Sequence, residues 1–378
     1  MIKKVLVLIL ALTFTVGAFG QTLEENLGSM LSDNAEMYLM PLGDAFGSNM
    51  NSGWYHRSRV HKMLGFDISA KAMLAIVPEE SEFFNFALNE NSMEFDLATI
   101  FGIDGMAPLP LTFADIYHDS DTRTPTFFGP ADSAGLLEAN KNNHLADLFE
   151  AHIRTELETM LTNEGVPADL IQGQVDDAIA SADIGGEIDN LNLDFPLPPG
   201  IGLPALPLVM PQIALGLPMG IELTLRGFPE AEIEDIGMFS MYGGGVRLNI
   251  DQFIPIPLFP VDITAGAFYS QMSIGTLIES SNTSISLQVG KSMNLLVFGV
   301  GVYVDAAYEM SSLSIGYDVD PEYGIEDNRI QFDMETDPGL RLGAGLHLKL
   351  IPLTYFNVHV SQTPTNSVIT GGFGISLR

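Results

Sequence analysis

The sequence contains no cysteine among its 378 residues. This absence excludes a disulfide framework and thiolate-bound metals, and it removes the acylated cysteine that a bacterial lipoprotein carries after its signal peptide. A secreted chain of this length without disulfides must be held together by its core or by closed strand pairing.

Positive charge is also scarce, with 16 Lys and Arg residues against 48 Asp and Glu residues and a formal net charge of -32. This balance excludes nucleic acid as a partner, because binding it depends on Lys and Arg that neutralise phosphates. Solubility and self-repulsion are the simplest explanation of the acidic excess. Divalent cations that bridge acidic loops are the second explanation.

After its N-terminus the sequence lacks a stretch suited to a membrane-spanning helix. The range Ile201–Met219 is uncharged but includes Pro204, Pro207, Pro211 and Pro218, and each proline removes a helical hydrogen bond. Yet charged residues make up only 17% of the chain, against roughly 25% in ordinary soluble domains. If the protein lies in a membrane it must form a closed barrel, since only helices and closed sheets satisfy every backbone group in lipid.

The sequence begins with the features of an export signal. Lys3 and Lys4 precede the apolar run Val5–Val16, and the small-residue site Ala18–Gly20 follows. We therefore predict a cleaved signal peptide over residues 1–20. An uncleaved anchor helix is the alternative, although the run is short for a span of roughly 20 residues. With the strands described next, this signal predicts the outer membrane of a Gram-negative bacterium, with outer-membrane lipid as a partner.

Long stretches then alternate between apolar residues and polar or glycine residues. In Leu340–Leu350 every second residue is leucine or alanine, whereas Arg341, His347 and Lys349 share the other parity with two glycines. Successive side chains of a strand point to opposite faces, so each such stretch forms a strand with one apolar face. The same alternation predicts strands at Gly65–Val77, Met93–Phe101, Met238–Asp251, Pro260–Gly275, Thr283–Lys291, Leu295–Tyr317, Arg329–Leu350, Leu353–Ser361 and Ser367–Arg378. The range Gln212–Arg226 forms either one very long strand or a hairpin kinked at Leu217-Pro218.

These strands predict an all-β fold: an antiparallel transmembrane β-barrel of about 10 strands, with roughly 8 to 14 allowed, an N-terminal helical segment and an inserted helical pair. A soluble β-sandwich also alternates, but its strands average roughly 5 to 6 residues and its outer face is charged. Here many strands exceed the roughly 9 to 11 residues that cross a bilayer at a tilt. Their polar face is rich in Gly, Ser, Thr and Asn, which suits a crowded lumen.

Helical periodicity appears in two regions. Thr22–Met40 is predicted as a short helix that ends at Pro41, and Ala139–Asn163 and Pro167–Ser181 as the inserted pair. The proline-rich stretch Asp183–Pro211 fits a linker or a plug. The predicted organisation is a signal peptide (1–20), an N-terminal helical or hatch segment (21–62), the first barrel strands (63–101), a region of loop, helical insert and proline-rich segment (102–210) and the main barrel (211–378).

Charged residues on the polar parity of the strands form the candidate site. Inside a barrel lumen, opposite charges among them would pair, whereas in a soluble sheet they would lie in water. The set is Glu222, Arg226, Arg247, Asp305, Asp333, Glu335, Arg341, His347 and Lys349. His347 is expected across a hairpin from Asn357 or His359, depending on register. His144 and His152 are predicted at the surface, because they lack a carboxylate pair at metal-ligand spacing.

No catalytic or cofactor motif accompanies this set. The sequence lacks the G-x-S-x-G, H-E-x-x-H and P-loop patterns, and the glycines of Phe298–Gly301 lack the third glycine and following helix of a dinucleotide site. The acidic segment Asp318–Asp327 lacks the spacing of a calcium loop. We therefore expect no enzyme activity, no cofactor and no metal site.

Three stretches, Asn51–Tyr55, His61–Ile68 and Leu215–Arg226, resemble a family of functionally uncharacterised barrel-like envelope proteins. More loosely, the layout resembles outer-membrane transporters of the long-chain fatty acid type, with an N-terminal hatch followed by long strands. That second resemblance implies passive uptake of a small hydrophobic solute through a plugged lumen. The alternative is a structural or accessory outer-membrane barrel, associated with the envelope or with secretion, that transports nothing.

Overall fold

The computed structural model describes residues 32–88, 92–102, 105–139, 141, 143–233, 237–255, 260–275, 278–295, 298–318, 329–351 and 353–377. The predicted signal peptide lies outside the described residues, as does the acidic segment beyond Asp318. The chain divides into two compact units: Met1–Phe83, Thr126–Ala131 and Gly200–Arg378 in the first, and Phe84–Pro125 and Asp132–Pro199 in the second.

Ten strands of the first unit form a closed antiparallel barrel. The strands are β1 (Phe66–Ile76), β2 (Ala205–Leu217), β3 (Ile221–Ile233), β4 (Gly237–Asn249), β5 (Asp262–Ile274), β6 (Ile278–Leu295), β7 (Phe298–Asp318), β8 (Arg329–Ile351), β9 (Thr354–Gln362) and β10 (Ser367–Leu377). Consecutive strands pair with each other, and β1 also pairs with β10, which closes the barrel. The prediction of an antiparallel barrel of about 10 strands is confirmed.

The barrel is polar inside and apolar outside. In β1, Asp67, Ser69 and Lys71 are buried, whereas Ile68 and Leu74 of the opposite parity are exposed. A β-sandwich does the reverse, because it buries its apolar faces between two sheets. The alternative of a soluble sandwich is therefore wrong.

Helix α1 (Ser32–Asn51) occupies the barrel interior and contacts strands on several sides of it, namely β1, β2, β5, β6, β7 and β8. Its buried side chains include Tyr38, Leu39 and Phe46. The prediction that the helix ends at Pro41 is wrong, because the helix runs through this proline. Proline costs a helix interior roughly 3 kcal/mol, but burying each large apolar side chain returns roughly 1.5–3 kcal/mol. Packing within the barrel therefore outweighs the local preference.

The second unit contains the predicted helical pair. Its helices are α2 (Leu97–Phe101), α3 (Phe113–Tyr117), α4 (Asn143–Asn163), α5 (Ala168–Ser181) and α6 (Ile184–Asn190). The predicted pair corresponds to α4 and α5, whereas the sequence analysis missed α6. Among the described residues, no helix is both long enough and apolar enough to cross a membrane.

Short strands and turns complete the described chain. The strands are Phe83–Asn85, Ser92–Phe95, Leu109–Thr112, Arg123–Pro125, Leu136–Leu137 and Phe195–Pro196, and the 3-10 turns are Glu79–Ser81, Pro218–Gly220 and Asp251–Phe253. The strand predicted at Met93–Phe101 is wrong beyond Phe95. There Asp96 starts α2 instead, because its side chain accepts a hydrogen bond from the backbone N–H of Thr99.

Strands β2 and β3 form a hairpin, which decides between the two alternatives that the sequence left open. The turn Pro218–Gly220 joins them, with Met219 in the left-handed region at φ 62°. Within the described residues, Gln212–Leu217 pairs with Ile221–Arg226. Beyond Gln212 towards its N-terminus, β2 continues to pair with β1.

The prediction of a linker or plug over Asp183–Pro211 is wrong at both ends of that stretch. Its first part forms α6, and its last part belongs to the barrel wall as the start of β2. Proline is tolerated in a sheet where its missing N–H faces no partner strand. Pro207 and Pro211 fulfil this condition, since they lie in β2 outside the part that pairs with β3.

Strand β8 contains a β-bulge. In the part of the strand before the bulge, the residues that face the barrel interior have the opposite parity to those after it. The register between β7 and β8 shifts between Glu309 and Ser311, where two residues of β8 oppose one residue of β7. One extra residue moves all following side chains to the other face. Phe332 is consequently buried, whereas Asp333 and Glu335 lie on the exposed face.

Candidate functional site

The barrel interior is filled by residues 32–65, which we call the plug segment: α1 and the irregular stretch that leads from it to β1. Its buried residues after the middle of α1 include Ala45, Phe46, Ser48, Asn49, Met50, Asn51, Ser52, Trp54, Tyr55, His56, Ser58, Val60 and His61. Many of these are polar, so each needs a partner on the inner wall of the barrel.

Glu222 of β3 connects the plug segment to the wall. Its Oε2 accepts a hydrogen bond from the backbone N–H of His61 at 2.8 Å and lies 2.7 Å from Nδ1 of the same residue. Its Oε1 accepts from Arg247 of β4 at 2.8 Å, and Arg247 also donates to the carbonyl of Arg57 at 2.6 Å. Glu222, His61 and Arg247 are all buried. The carboxylate is thus shared between wall and plug segment.

Arg341 of β8 forms a second connection. Its guanidinium lies 2.9 Å from Oε1 of Glu309 in β7 and donates to Oγ of Ser52 at 2.9 Å. All three residues are buried. A buried arginine needs a paired charge and acceptors for its N–H groups. Glu309 balances the charge of Arg341 and Ser52 accepts from Nη1, whereas Nε of Arg341 is buried without a partner among the described residues.

Asp305 of β7 forms a third connection. Its carboxylate accepts a hydrogen bond from the hydroxyl of Tyr55 at 2.8 Å and lies 2.6 Å from Nε2 of His359 in β9. The rings of His359 and Tyr303 stack at 5.6 Å between centroids and 6° between planes. Gly345 lies directly opposite Tyr303, and a Cβ at this position would be 2.2 Å from the tyrosine ring. The glycine therefore makes room for the stacked pair.

Arg226 of β3 holds the end of α1. Its guanidinium donates to the carbonyls of Met50 and, at 2.8 Å, of Ser52. It also lies 3.4 Å from the centroid of Trp54, while Trp54 stacks on Phe268 of β5 at 4.8 Å. Carbonyls at a helix C-terminus lack helical partners and carry partial negative charge. A buried arginine satisfies them and stacks on the chain's single tryptophan.

The structure brings most of the predicted site residues into this interior. Six of the nine are buried there: Glu222, Arg226, Arg247, Asp305, Arg341 and His347. Lys349 is half-buried, and His347 lies opposite Asn357, one of its two predicted partners. The inward placement of Asp333 and Glu335 is wrong, because the bulge in β8 turns both outward.

Sequence reasoning missed several interior residues. Asp67 and Lys71 share the polar parity of β1, so the alternation already indicated their direction. Glu309 follows Asp305 at the same parity in β7 and was recognisable by the same rule. The plug residues Tyr55 and His61 carried no such signal, because an irregular segment has no periodicity.

A family comparison covers almost the whole chain. Residues 1–377 match the sequence model of a family of unknown function, DUF6588. The chain belongs to this family. The comparison with curated proteins found no match. The resemblance to a family of uncharacterised function is thus confirmed, whereas the looser resemblance to fatty acid-type transporters finds no support here.

Two solved barrels are similar to parts of this DUF6588 member. One is the N-terminal β-barrel domain of OprF from Pseudomonas aeruginosa, with 13% identity and a TM-score of 0.23 over 42% of this chain and 96% of that chain. The other is the KdgM porin in complex with disordered oligogalacturonate, with 10% identity and a TM-score of 0.22 over 45% of this chain and 93% of that chain. Scores this low carry no argument about architecture or function.

A cavity of about 370 Å³ lies beside α1 in this DUF6588 member, at the bulge of β8. Its apolar lining includes Met40, Met334 and Pro338, and its polar lining includes Glu36 and Glu309. The cavity therefore offers an apolar wall and carboxylates to the same occupant.

The outer surface of the barrel presents a large apolar side chain on every strand. One residue at least 46% exposed can be named from each strand in turn: Ile68, Ile213, Leu225, Val246, Tyr269, Ile285, Val304, Leu342, Val358 and Phe373. Monomeric soluble proteins rarely expose apolar patches larger than a few hundred Å². This outer face requires an apolar environment.

Proposed function

We propose that the protein spans the outer membrane as a β-barrel closed at rest by its plug segment, and that it passes a small hydrophobic solute when the plug segment moves. The observation that carries the membrane part is the inverted barrel, in which every strand exposes large apolar side chains and buries at least one polar side chain. The predicted signal peptide supplies the export that this location needs.

Energetics favour lipid around the barrel. Each large apolar side chain held in water forgoes roughly 1.5–3 kcal/mol of burial, and every strand carries such residues. The strands are also long enough, from the 9 residues of β9 to the 23 of β8, to reach the roughly 9 to 11 residues that cross a bilayer.

The passage of a solute is supported by the chemistry of the inner wall. Gln212, Thr224, Ser270, Gln288 and Thr370 are buried on the inner wall, and Gln212 donates to the carbonyl of Trp54 in the plug segment. Their side chains can exchange protein partners for water, so a lumen vacated by the plug segment would be wetted. The cavity beside Met40 and Met334 supplies the apolar contact that a hydrophobic solute needs at the start of its path.

A second candidate is an accessory barrel whose plug segment never leaves. The observation in its favour is the set of buried charges shared between plug and wall, above all Glu222 with His61 and Arg341 with Ser52. Removing the plug segment would take hydrogen-bond partners from these buried charged groups, and each group left unsatisfied costs roughly 1–3 kcal/mol or more. The two candidates differ in one measurable property, the movement of the plug segment.

A disulfide between α1 and β7 tests that movement. A Cβ built on Gly47 would lie 2.6 Å from Cβ of Ser311, about 1 Å closer than the roughly 3.5–4.5 Å of a disulfide, so a small shift admits the bond. The chain has no native cysteine to interfere. The double variant Gly47→Cys/Ser311→Cys, oxidised or reduced, is reconstituted in liposomes and assayed for uptake of a small hydrophobic probe.

Uptake that falls on oxidation and returns on reduction supports passage gated by the plug segment. Protein-dependent uptake that is equal in both states contradicts the gating, and uptake equal to that of empty liposomes supports the accessory barrel. The membrane location has its own test: a fluorophore on Val302→Cys should be quenched by nitroxide lipids. A label quenched only by water-soluble agents contradicts a lipid-facing outer surface.

A further inference from the structure

Three metal-ligating side chains that the proposed function does not use come together at the junction of the plug segment and β1. They are His56 and His61 of the plug segment and Asp67 of β1. One ligand atom from each lies within 4.8 Å of the other two, and all three residues are buried, at 3%, 1% and 1% exposure. Burial of three such groups together needs an explanation, because each polar atom has lost its water.

Two polar atoms of these three residues lack a hydrogen-bond partner. Among the described residues, Nε2 of His56 and Oδ2 of Asp67 form no hydrogen bond. Leaving a buried acceptor unsatisfied costs roughly 1–3 kcal/mol, and more for a charged group. A ligand between these two atoms would remove both costs at once.

The third ligand is oriented by a carboxylate. An ionised Glu222 can only accept hydrogen bonds, so Nδ1 of His61, 2.7 Å from it, carries the proton. The lone pair of His61 is then on Nε2, which lies 3.1 Å from the hydroxyl of Ser376. Histidines that bind metals commonly donate their other ring N–H to a carboxylate, which fixes the ring and raises its basicity.

Neighbouring residues hold the other two ligands in place. The ring of Tyr355 stacks on His56 at 4.2 Å between centroids and 20° between planes. The hydroxyl of Ser69 donates to Oδ1 of Asp67 at 3.0 Å, which leaves Oδ2 for another partner. Both ligands are therefore restrained before any ion arrives, which lowers the entropy lost on binding.

We propose that His56, His61 and Asp67 bind a divalent transition-metal ion of the Zn²⁺ type, with water as a fourth ligand. Two imidazoles and one carboxylate suit Zn²⁺, and three protein ligands leave one position open. An ion here would fasten the end of the plug segment to β1. The proposal does not rest on solute passage, since a barrel with a fixed plug could hold the same ion.

The surrounding charges set the strength of this site. Asp67 and Glu222 provide negative charge, whereas the positive charges of Lys71 and Arg57 act on His56 and oppose a cation. Arg247 also lies nearby but is paired with Glu222 at 2.8 Å. We expect a weaker affinity than that of a site with unopposed carboxylates.

Zn²⁺ alone is the probe. The full chain is folded in detergent, treated with EDTA, and loaded in two ways: by titration of the folded protein and by refolding with Zn²⁺ present, because the site is buried. Calorimetry gives the affinity, and metal analysis after dialysis gives the stoichiometry. The expected result is one Zn²⁺ per chain in at least one of the two preparations.

Variants then assign the ion to its ligands. His56→Asn and Asp67→Asn should each weaken Zn²⁺ binding at least about 10-fold, and two variants keep the test valid if one fails to fold. Lys71→Met should strengthen binding several-fold, because it removes a repelling charge, a change that a general loss of structure would not produce. The matched control is His118→Asn/His144→Asn, which removes a histidine pair with rings 5.0 Å apart in the second unit.

Three outcomes overturn the proposal. They are the absence of stoichiometric Zn²⁺ in both preparations, an affinity unchanged by His56→Asn and Asp67→Asn, and loss of binding in the His118→Asn/His144→Asn control. Heat-modifiable migration on a gel checks that each variant still forms the barrel.

Discussion

A single carboxylate oxygen of Glu222 is shared by two groups of His61, the backbone N–H at 2.8 Å and the ring Nδ1 at 2.7 Å. This relationship fixes the position of the plug segment against the wall. The other carboxylate oxygen pairs with Arg247, so the same side chain also balances a buried positive charge.

Glu222→Gln should destabilise the barrel by about 3–5 kcal/mol, because Arg247 would remain buried without its counter-charge. Denaturant unfolding of the protein in detergent or lipid measures this change. Glu335→Gln is the control, since Glu335 is exposed on β8 and surface changes usually stay within about 0.5 kcal/mol. Equal stabilities of the two variants would contradict the assigned role of Glu222.

Gly345→Ala should destabilise the barrel by about 1–3 kcal/mol, the usual cost of overpacking. The added methyl group would meet the ring of Tyr303 at 2.2 Å and push it off His359. Gly371→Ala is the matched control in β10, because a Cβ there meets nothing within 4 Å. The measurement is the denaturant midpoint of unfolding of each of the two variants. A larger loss for the control would show that the space around Gly345 does not limit packing.

Arg226→Gln should loosen the end of α1, since the charged donor to the carbonyls of Met50 and Ser52 is lost. Each hydrogen bond to a charged group is worth about 1.5–3 kcal/mol. Trp54 is the only tryptophan, so its fluorescence reports this region directly. Quenching by acrylamide should be weak in the native protein and stronger in the variant. Equal quenching in both would mean that Arg226 does not hold the plug segment.

Thr112→Ala should destabilise the start of α3 by about 0.5–2 kcal/mol. The hydroxyl of Thr112 accepts from the backbone N–H of Asp115 at 3.2 Å, and the carboxylate of Asp115 accepts from the backbone N–H of Thr112 at 2.8 Å. This reciprocal pair is a capping box. Hydrogen exchange at the amides of α3 measures the loss.

The same cap should depend on pH. Hydrogen bonds from the side chain and then the backbone of Thr112 lower the pKa of Asp115 below its ordinary value. A lowered pKa in the folded state stabilises α3 above the unfolded pKa of roughly 3.9, and the gain is lost as pH falls through the folded value. Asp115→Asn should therefore exchange faster than the native protein at neutral pH and equally at low pH. Asp147→Asn, at an exposed position of α4, should show no such dependence.

The barrel was largely predictable because its strands obey one simple rule. Alternation with period two assigned β1, β4, β5, part of β6 and β7 to β10, and it gave the correct face for residues such as Arg247 and Arg341. The rule failed where the chain departs from regular pairing. Pro338 and Gly339 lie at the bulge of β8, and both residue types inside a strand are typical of bulges. The sequence analysis treated Arg329–Leu350 as one regular strand, so Asp333 and Glu335 were assigned to the wrong face.

The contents of the lumen were less predictable, for a different reason. A sequence shows which wall residues point inward but not which distant segment meets them. The contact of Tyr55 with Asp305 joins residues 250 positions apart, and His61 meets Glu222 across 161. Such contacts depend on closure of the barrel around α1. Local helix propensity even predicts that α1 ends early, because Pro41 lies within it.

The short pairing between β2 and β3 has a consequence for the barrel wall itself, because only Gln212–Leu217 of the 13 residues of β2 pair with β3. The backbone of Gly216 bonds towards Leu64 and Gly65, so residues of odd number in β2 direct their amides to the opposite side, where β3 has already diverged. An orphan amide in hydrocarbon costs several kcal/mol. Pro207 and Pro211 occupy two of these odd positions and have no amide hydrogen to orphan. At these two positions β2 therefore presents no unpaired donor on the side away from β1, and replacing either proline with alanine would introduce one.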